Sequence, residues 1–197
     1  MRLALLVLAT TFTLMNPASS AAQSSWQKPN ATPPSQQPGP DPFAGAPAAR
    51  PDDVRTLESI LAALYDVISG PAGERDWNRF RSLFVPTARL TSTGKAPDGT
   101  VVVHPNSVED YVNRAGAFFR KTGFFESAIV NRILAFGNVA QAFSSYESRH
   151  APGEAPFSRG INSIQLLNDG KRWWVVSILW DSERPDNPLP KDFASKQ

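Results

Sequence analysis

The 197-residue chain contains no cysteine, which excludes disulfides, thiolate metal sites and a lipid-modified cysteine at an export junction. Histidine is nearly as scarce. His104 and His150 lie in different loops, with no i,i+4 pair and no clustered acids beside them, so no metal site is expected. Net charge is only +2 with the two signs interspersed, which leaves no footprint for nucleic acid. The apolar run at residues 3–15 is too short to span a bilayer comfortably, so stable membrane insertion is not expected. No residue pattern calls for a cofactor.

What is present begins with export. Met1-Arg2 gives a positive start, residues 3–15 an apolar core, and Pro17 with the small residues 18–22 a cleavage pattern. Residues 1–22 are therefore expected to be a signal peptide, and the mature protein to be periplasmic or extracellular. Residues 23–51, rich in Pro, Ala, Ser and Gln and without periodicity, are expected to form a disordered spacer. A folded domain over 52–183 and an irregular tail over 184–197 complete the plan.

The domain is organised around residues 125–181, which read as a four-stranded antiparallel meander. Asp169-Gly170 and Gly137-Asn138 each sit between runs rich in β-branched, leucine and aromatic residues, as two-residue hairpin turns do. Those turns imply a register, and the alternation of side chains then sorts residues into two faces. One face carries small and aliphatic residues plus a row of Asn131, Ser144, Asn162 and Ser177. Ile129 and Tyr146 lie in the next row, and Asp181 at the strand end. Buried amides and hydroxyls need partners, so that row is either a self-satisfied polar belt or the floor of a pocket that orients a ligand. The other face carries Phe143, Ile161, Trp174, Val176, Ile178 and Trp180. Such an apolar surface usually meets another protein, and a homodimer formed sheet against sheet is expected.

Three helices precede the meander. The first starts at Asp52 or Asp53 and places Leu57, Leu61, Leu64, Tyr65 and Ile68 on one stripe before Gly70-Pro71 ends it. The second is capped by Asp76, turns Trp77, Phe80 and Phe84 inward, and is stopped by Pro86. A short hairpin, 88–93 with 101–103, leads to a third helix capped by Ser107 that turns Tyr111 and Phe119 inward.

Local markers carry a family resemblance: Trp77 followed by Leu83-Phe84-x-Pro86-x-Ala88, then Gly137-Asn138-Val139-Ala140, then Gly170-Lys171-Arg172-Trp173. With this element order the domain resembles the nuclear transport factor 2-like superfamily, and in particular its small bacterial SnoaL-like members. The resemblance implies an α+β cone, a curved antiparallel sheet wrapped around three helices with a pocket inside and often dimerisation through the sheet. It also implies either a binder or an enzyme of cyclase, isomerase or dehydratase type. In the ketosteroid isomerase branch a tyrosine of the first helix donates to an oxyanion, and Tyr65 stands in the matching place. That branch's aspartate base falls near Ser92, and its protonated aspartate on residues 159–167, which contain no acid.

Two functions follow. One is a ligand-binding or structural dimer whose polar belt orients a small, mostly apolar molecule. The other is an enzyme with Asp181 as general base and Tyr65 or Tyr146 as donor to an enolate.

Overall fold

In the computed structural model, which describes residues 39–195, the three longer helices begin where capping chemistry puts them. The expected signal peptide and most of the spacer lie outside the described residues. The first long helix is split, into α1 (Pro51–Val54) and α2 (Leu57–Ile68). Thr56 takes extended backbone between them and starts a new helix: its hydroxyl accepts from Ser59 N at 3.1 Å, while Thr56 N donates back to Ser59 Oγ at 3.0 Å. Asp76 caps α3 (Trp77–Ser82) through Arg79 N. Ser107 and Asp110 form the same reciprocal box at the start of α4 (Val108–Phe119).

Six strands form one sheet: β1 (Phe84–Lys95), β2 (Val101–Ser107), β3 (Phe125–Phe136), β4 (Val139–Arg149), β5 (Ser158–Asn168) and β6 (Trp173–Ser182). Their order is β2-β1-β6-β5-β4-β3. β6 runs parallel to β1, so the sheet is mixed and not antiparallel throughout. β1 and β2 are longer than the sequence pattern implies, and Pro105 is accommodated because β2 is an edge strand. Helices α2 and α4 cover the inner face. Ile60, Leu61 and Leu64 from α2 meet Ala142, Ile164, Leu166 and Val175 of the sheet in a buried core. At one end Arg79 fastens the helices to each other. Its guanidinium holds Asp53 with two bonds of 2.8 and 2.9 Å and reaches Asp66 at 2.5 Å.

Register decides which residues face the core. β4 and β5 pair in the expected alignment, with Ser144 opposite Asn162 and Glu147 opposite Arg159. The β3–β4 corner is the expected two-residue turn, with positive φ only at Gly137. Along β3, however, Ile129 is an extra residue, and Ala128 and not Ile129 faces Tyr146. The β5–β6 connection also departs from expectation. The Asp169 carboxylate accepts from Lys171 N, Arg172 N and Trp174 Nε1 at 2.8–2.9 Å, which holds open a four-residue loop between the paired Asn168 and Trp173. A bulge at Val176 then shifts β6 once more, so that Asn162 faces Trp180 where Ser177 was expected. The combined slip is odd, and an odd slip exchanges the two faces of a strand.

Two assignments to the apolar outer face fall with that register, and a third falls to packing. Ile178 and Trp180 point inward. Trp174 stays on its face but is enclosed, stacked on Phe43 at 4.7 Å with the Arg172 guanidinium 3.5 Å over its ring. Phe43, placed by composition in the spacer, is thus part of the packed domain. Of the outer-face set, Phe143, Ile161 and Val176 remain outside. The C-terminal segment crosses there: Arg159 bonds Glu183 and the Ala194 carbonyl, and Phe193, in the short α5 (Lys191–Ala194), comes within 6.5 Å of Phe143. Because Trp174 is enclosed, Trp174→Glu is expected to cost about 3 kcal/mol or more in urea unfolding. A loss under about 1 kcal/mol would contradict its burial.

Candidate functional site

Between the inner face of the sheet and helices α2 and α4 lies a cavity of about 330 Å³. Rings make up much of its wall: Phe80, Phe118, Phe119, Phe124, Phe157 and Trp180 line it, as do all three tyrosines of the sequence, Tyr65, Tyr111 and Tyr146. Each tyrosine comes from a different element. Tyr65 is on the inward stripe of α2, Tyr111 on the first turn of α4 and Tyr146 on β4. A wider, more open cleft between α2 and β3 shares Tyr65 and Glu126 with this cavity.

Polar groups meet at two points. At the first, Asn162 Nδ2 donates to Tyr65 Oη at 3.2 Å, and Tyr65 Oη shares a 2.5 Å hydrogen bond with Ser144 Oγ. Burial, only partly offset by these bonds, pushes the Tyr65 phenol well above its ordinary range. It stays neutral, so it can donate or accept.

At the second point stands Glu126. The extra residue at Ile129 puts Glu126 opposite Ser148 on the inner face. Ser148 Oγ donates to its Oε2 at 2.7 Å. Glu126 lines both this cavity and the neighbouring cleft. Burial pushes its carboxyl up to about 7, against the opposing pull of the Ser148 hydroxyl. Nearby, Tyr146 Oη lies 3.3 Å from Ser182 Oγ. Its phenol lies across Gly160, where an added Cβ would fall 2.6 Å from the Tyr146 oxygen. Tyr111 is raised chiefly by burial, and no hydrogen bond offsets the shift.

The anticipated belt is therefore divided. Ser144 and Asn162 meet on Tyr65 as partners. Asn131 lines the neighbouring cleft. Ser177 turns to the outer face, where its hydroxyl donates to Gln165 Oε1. Asp181, the expected base, is also outside: it pairs with Arg184 at 2.7 Å and stands opposite Ile161. Both errors have one cause, the odd slip of β6. Glu126 was missed through the bulge in β3, although it is the only charged residue between Gly123 and Asn131. Among the described residues no three histidine or acidic side chains cluster as a metal site requires.

No family model and no curated protein matches the sequence. Solved structures do match. An NTF2-like protein of unknown function from Pseudomonas putida KT2440 aligns with TM-score 0.51 at 10% identity, over 72% of this chain and 94% of that one. A protein of unknown function with a cystatin-like fold from Nostoc punctiforme PCC 73102 gives TM-score 0.50 at 11% identity, over 68% and 92%. The fold is NTF2-like. An NTF2-like protein of unknown function from Silicibacter pomeroyi DSS-3 is also similar, with TM-score 0.45 and 14% identity over 66% and 94% of the chains. In this NTF2-like frame the cavity's carboxyl is carried by β3. Ser92, on β1, faces His104 and Trp180, and β5 offers Asn162 and Ser158 but no acid.

The raised carboxyl has a measurable consequence for stability. In the unfolded chain Glu126 titrates near its ordinary 4.5, in the folded one near 7. Between those values the folded state holds more protons, so stability falls as pH rises through the window and the loss is complete above it. The full loss is about 3 kcal/mol. Glu126→Gln, which mimics the protonated acid, should match the parent at about pH 4 and exceed it by up to ~3 kcal/mol at about pH 8. Urea titrations at the two pH values check this, and an equal difference at both would contradict a desolvated carboxyl.

Proposed function

We propose that this is an exported small-molecule-binding protein whose interior cavity holds a mostly apolar molecule by its rings. The ligand's polar end would be oriented by Tyr65 with Asn162 and by Glu126. One observation carries the reading: a cavity of about 330 Å³ lined by nine aromatic side chains holds a single carboxyl group, that of Glu126, beside three phenols. Such a site is paid for in stability by its desolvated carboxyl, a cost that a purely structural core has no reason to keep. Export rests on the charged start, apolar core and small-residue run of residues 1–22. Self-association through the sheet stays in the reading with its surface moved toward the β3–β4 tip, where Leu134, Phe136 and Val139 are exposed.

A second reading is favoured by Glu126 specifically. A carboxyl with a pKa of about 7 beside neutral phenols suits cofactor-independent proton transfer, as in isomerases, cyclases and dehydratases. Glu126 would take the proton, and Tyr65 or Tyr146 would donate a hydrogen bond to the developing oxyanion. Here Asp181 has no part.

The binding reading is tested by native mass spectrometry of the purified protein together with thermal melts against a panel of small apolar compounds. A co-purified molecule, or compounds that raise the melting temperature by several degrees, is expected. Ala115→Trp, which fills the cavity from α4, should abolish either effect. No bound mass and no shift across the panel would refute the site. For the second reading, hydrogen–deuterium exchange at the acidic carbon of a bound cyclic ketone should drop about 100-fold or more in Glu126→Gln.

A further inference from the structure

Glu126 has one hydrogen-bond donor, Ser148, and no cation among the described residues. This is unusual within the same molecule. The buried Asp53 is matched by Arg79, and the half-buried Glu147 and Glu183 by Arg149 and Arg159. Arg114 is largely exposed but lines the same cavity, where its charge acts on Tyr111, and the Glu126 carboxyl is not lowered by it. A carboxyl in a low-dielectric cavity with no counter-charge is half of an ion pair. Around the missing half stand aromatic side chains. Tyr65, Tyr111 and Tyr146 line the same cavity as that carboxyl, whose charge adds to burial in raising all three phenols. Trp180 and Phe124 complete the wall. Ring faces attract cations and a carboxylate attracts them more.

We propose that the molecule this cavity takes carries a quaternary or protonated amine on an apolar, ring-sized body, with the ammonium seated between the Glu126 carboxylate and the surrounding aromatic faces. This rests on the binding reading above and adds the ligand's charge to it. Binding ionises Glu126. With a quaternary ammonium, which has no proton of its own to lose, affinity rises with pH through neutrality and binding just below it expels protons to solvent. The other ionisable groups facing Glu126 do not mimic this. The three phenols stay neutral throughout, and on the cleft side Arg149 is already held by Glu147. Glu58, Asp66 and Glu154 line the cleft and not the aromatic cavity.

The test is calorimetric titration of the full chain with phenethyltrimethylammonium and with its neutral carbon isostere, in which a tert-butyl group replaces the trimethylammonium. At about pH 8 the cation should bind about tenfold or more tightly than the isostere. The preference should shrink toward unity at about pH 5.5, and binding at about pH 6.5 should release about half a proton, read from buffers of different ionisation enthalpy. Glu126→Gln should abolish the preference at every pH while still binding the isostere. Equal binding of cation and isostere, or a preference that survives Glu126→Gln, would overturn the charge assignment and leave the cavity a neutral-ligand site. Failure of both compounds to bind the parent protein would overturn the binding reading itself.

Discussion

In a β-strand each side chain points opposite to its neighbours, so one extra residue inverts everything beyond it until a second irregularity restores the order. The contents of this cavity are set by that constraint. Ile129 is the extra residue in β3, and it is why Glu126 and Ala128 lie on the same side as Ser148 and Tyr146. Val176 is the extra residue in β6, and it brings Ile178, Trp180 and Ser182 inward while Ser177, Leu179 and Asp181 go out. Neither bulge touches the central pairing of β4 with β5, which stays regular along its length. Within the meander the inner pair thus stays in register, and the two bulged strands flanking it choose the cavity lining.

The aliphatic core supports that choice from behind. Ile60, Leu61, Ala142, Ile164 and Val175 are essentially without accessible surface, so α2 cannot slide along the sheet without opening voids. Arg79 adds a directional tie, since a guanidinium bonded to Asp53 and Asp66 holds α1, α2 and α3 at one angle. Asp53 is correspondingly held below its usual range, chiefly by the Arg79 hydrogen bonds. The contrast with Glu126 is physical, not merely topological. Both are enclosed carboxyls, but one meets a fixed cation and ionises readily, while the other meets rings and a single hydroxyl and resists ionisation.

Much of this was legible in the chain, for reasons that can be named. Two helix starts were readable because caps are local chemistry: Ser107 with Asp110, and Asp76 with Arg79 N, act within one turn. The β3–β4 corner and the β4–β5 register were readable because glycine and strand alternation act over a few residues. Tyr65 reached the cavity because its helical stripe could face only one way. What escaped was a matter of parity. The Asp169 carboxylate can cap the turn amides in a longer loop or sit in a tight one, and composition does not choose between them. Bulges such as Ile129 carry no glycine and no distinctive neighbour, so nothing local announces them. Every misplaced site residue, Ser177 and Asp181 outward and Ile178 and Trp180 inward, traces to such a step on β6. The enclosure of Trp174 depends instead on Phe43, more than a hundred positions away in sequence, a contact that no local pattern encodes.

The low identity to structures of the same fold fits this division of labour. A frame held by aliphatic burial accepts many sequences, since cores tolerate exchange as long as volume and patterning survive. Chemistry placed at a few cavity positions is free to differ on the same frame. Glu126 reaches the cavity only through the combination of an acid at the start of β3 and an extra residue a few positions later. Either one without the other gives an ordinary strand, with a surface glutamate or an apolar wall. A chain that shares this fold would therefore share this cavity's chemistry only if it kept both features, and fold likeness alone does not require that it keep either.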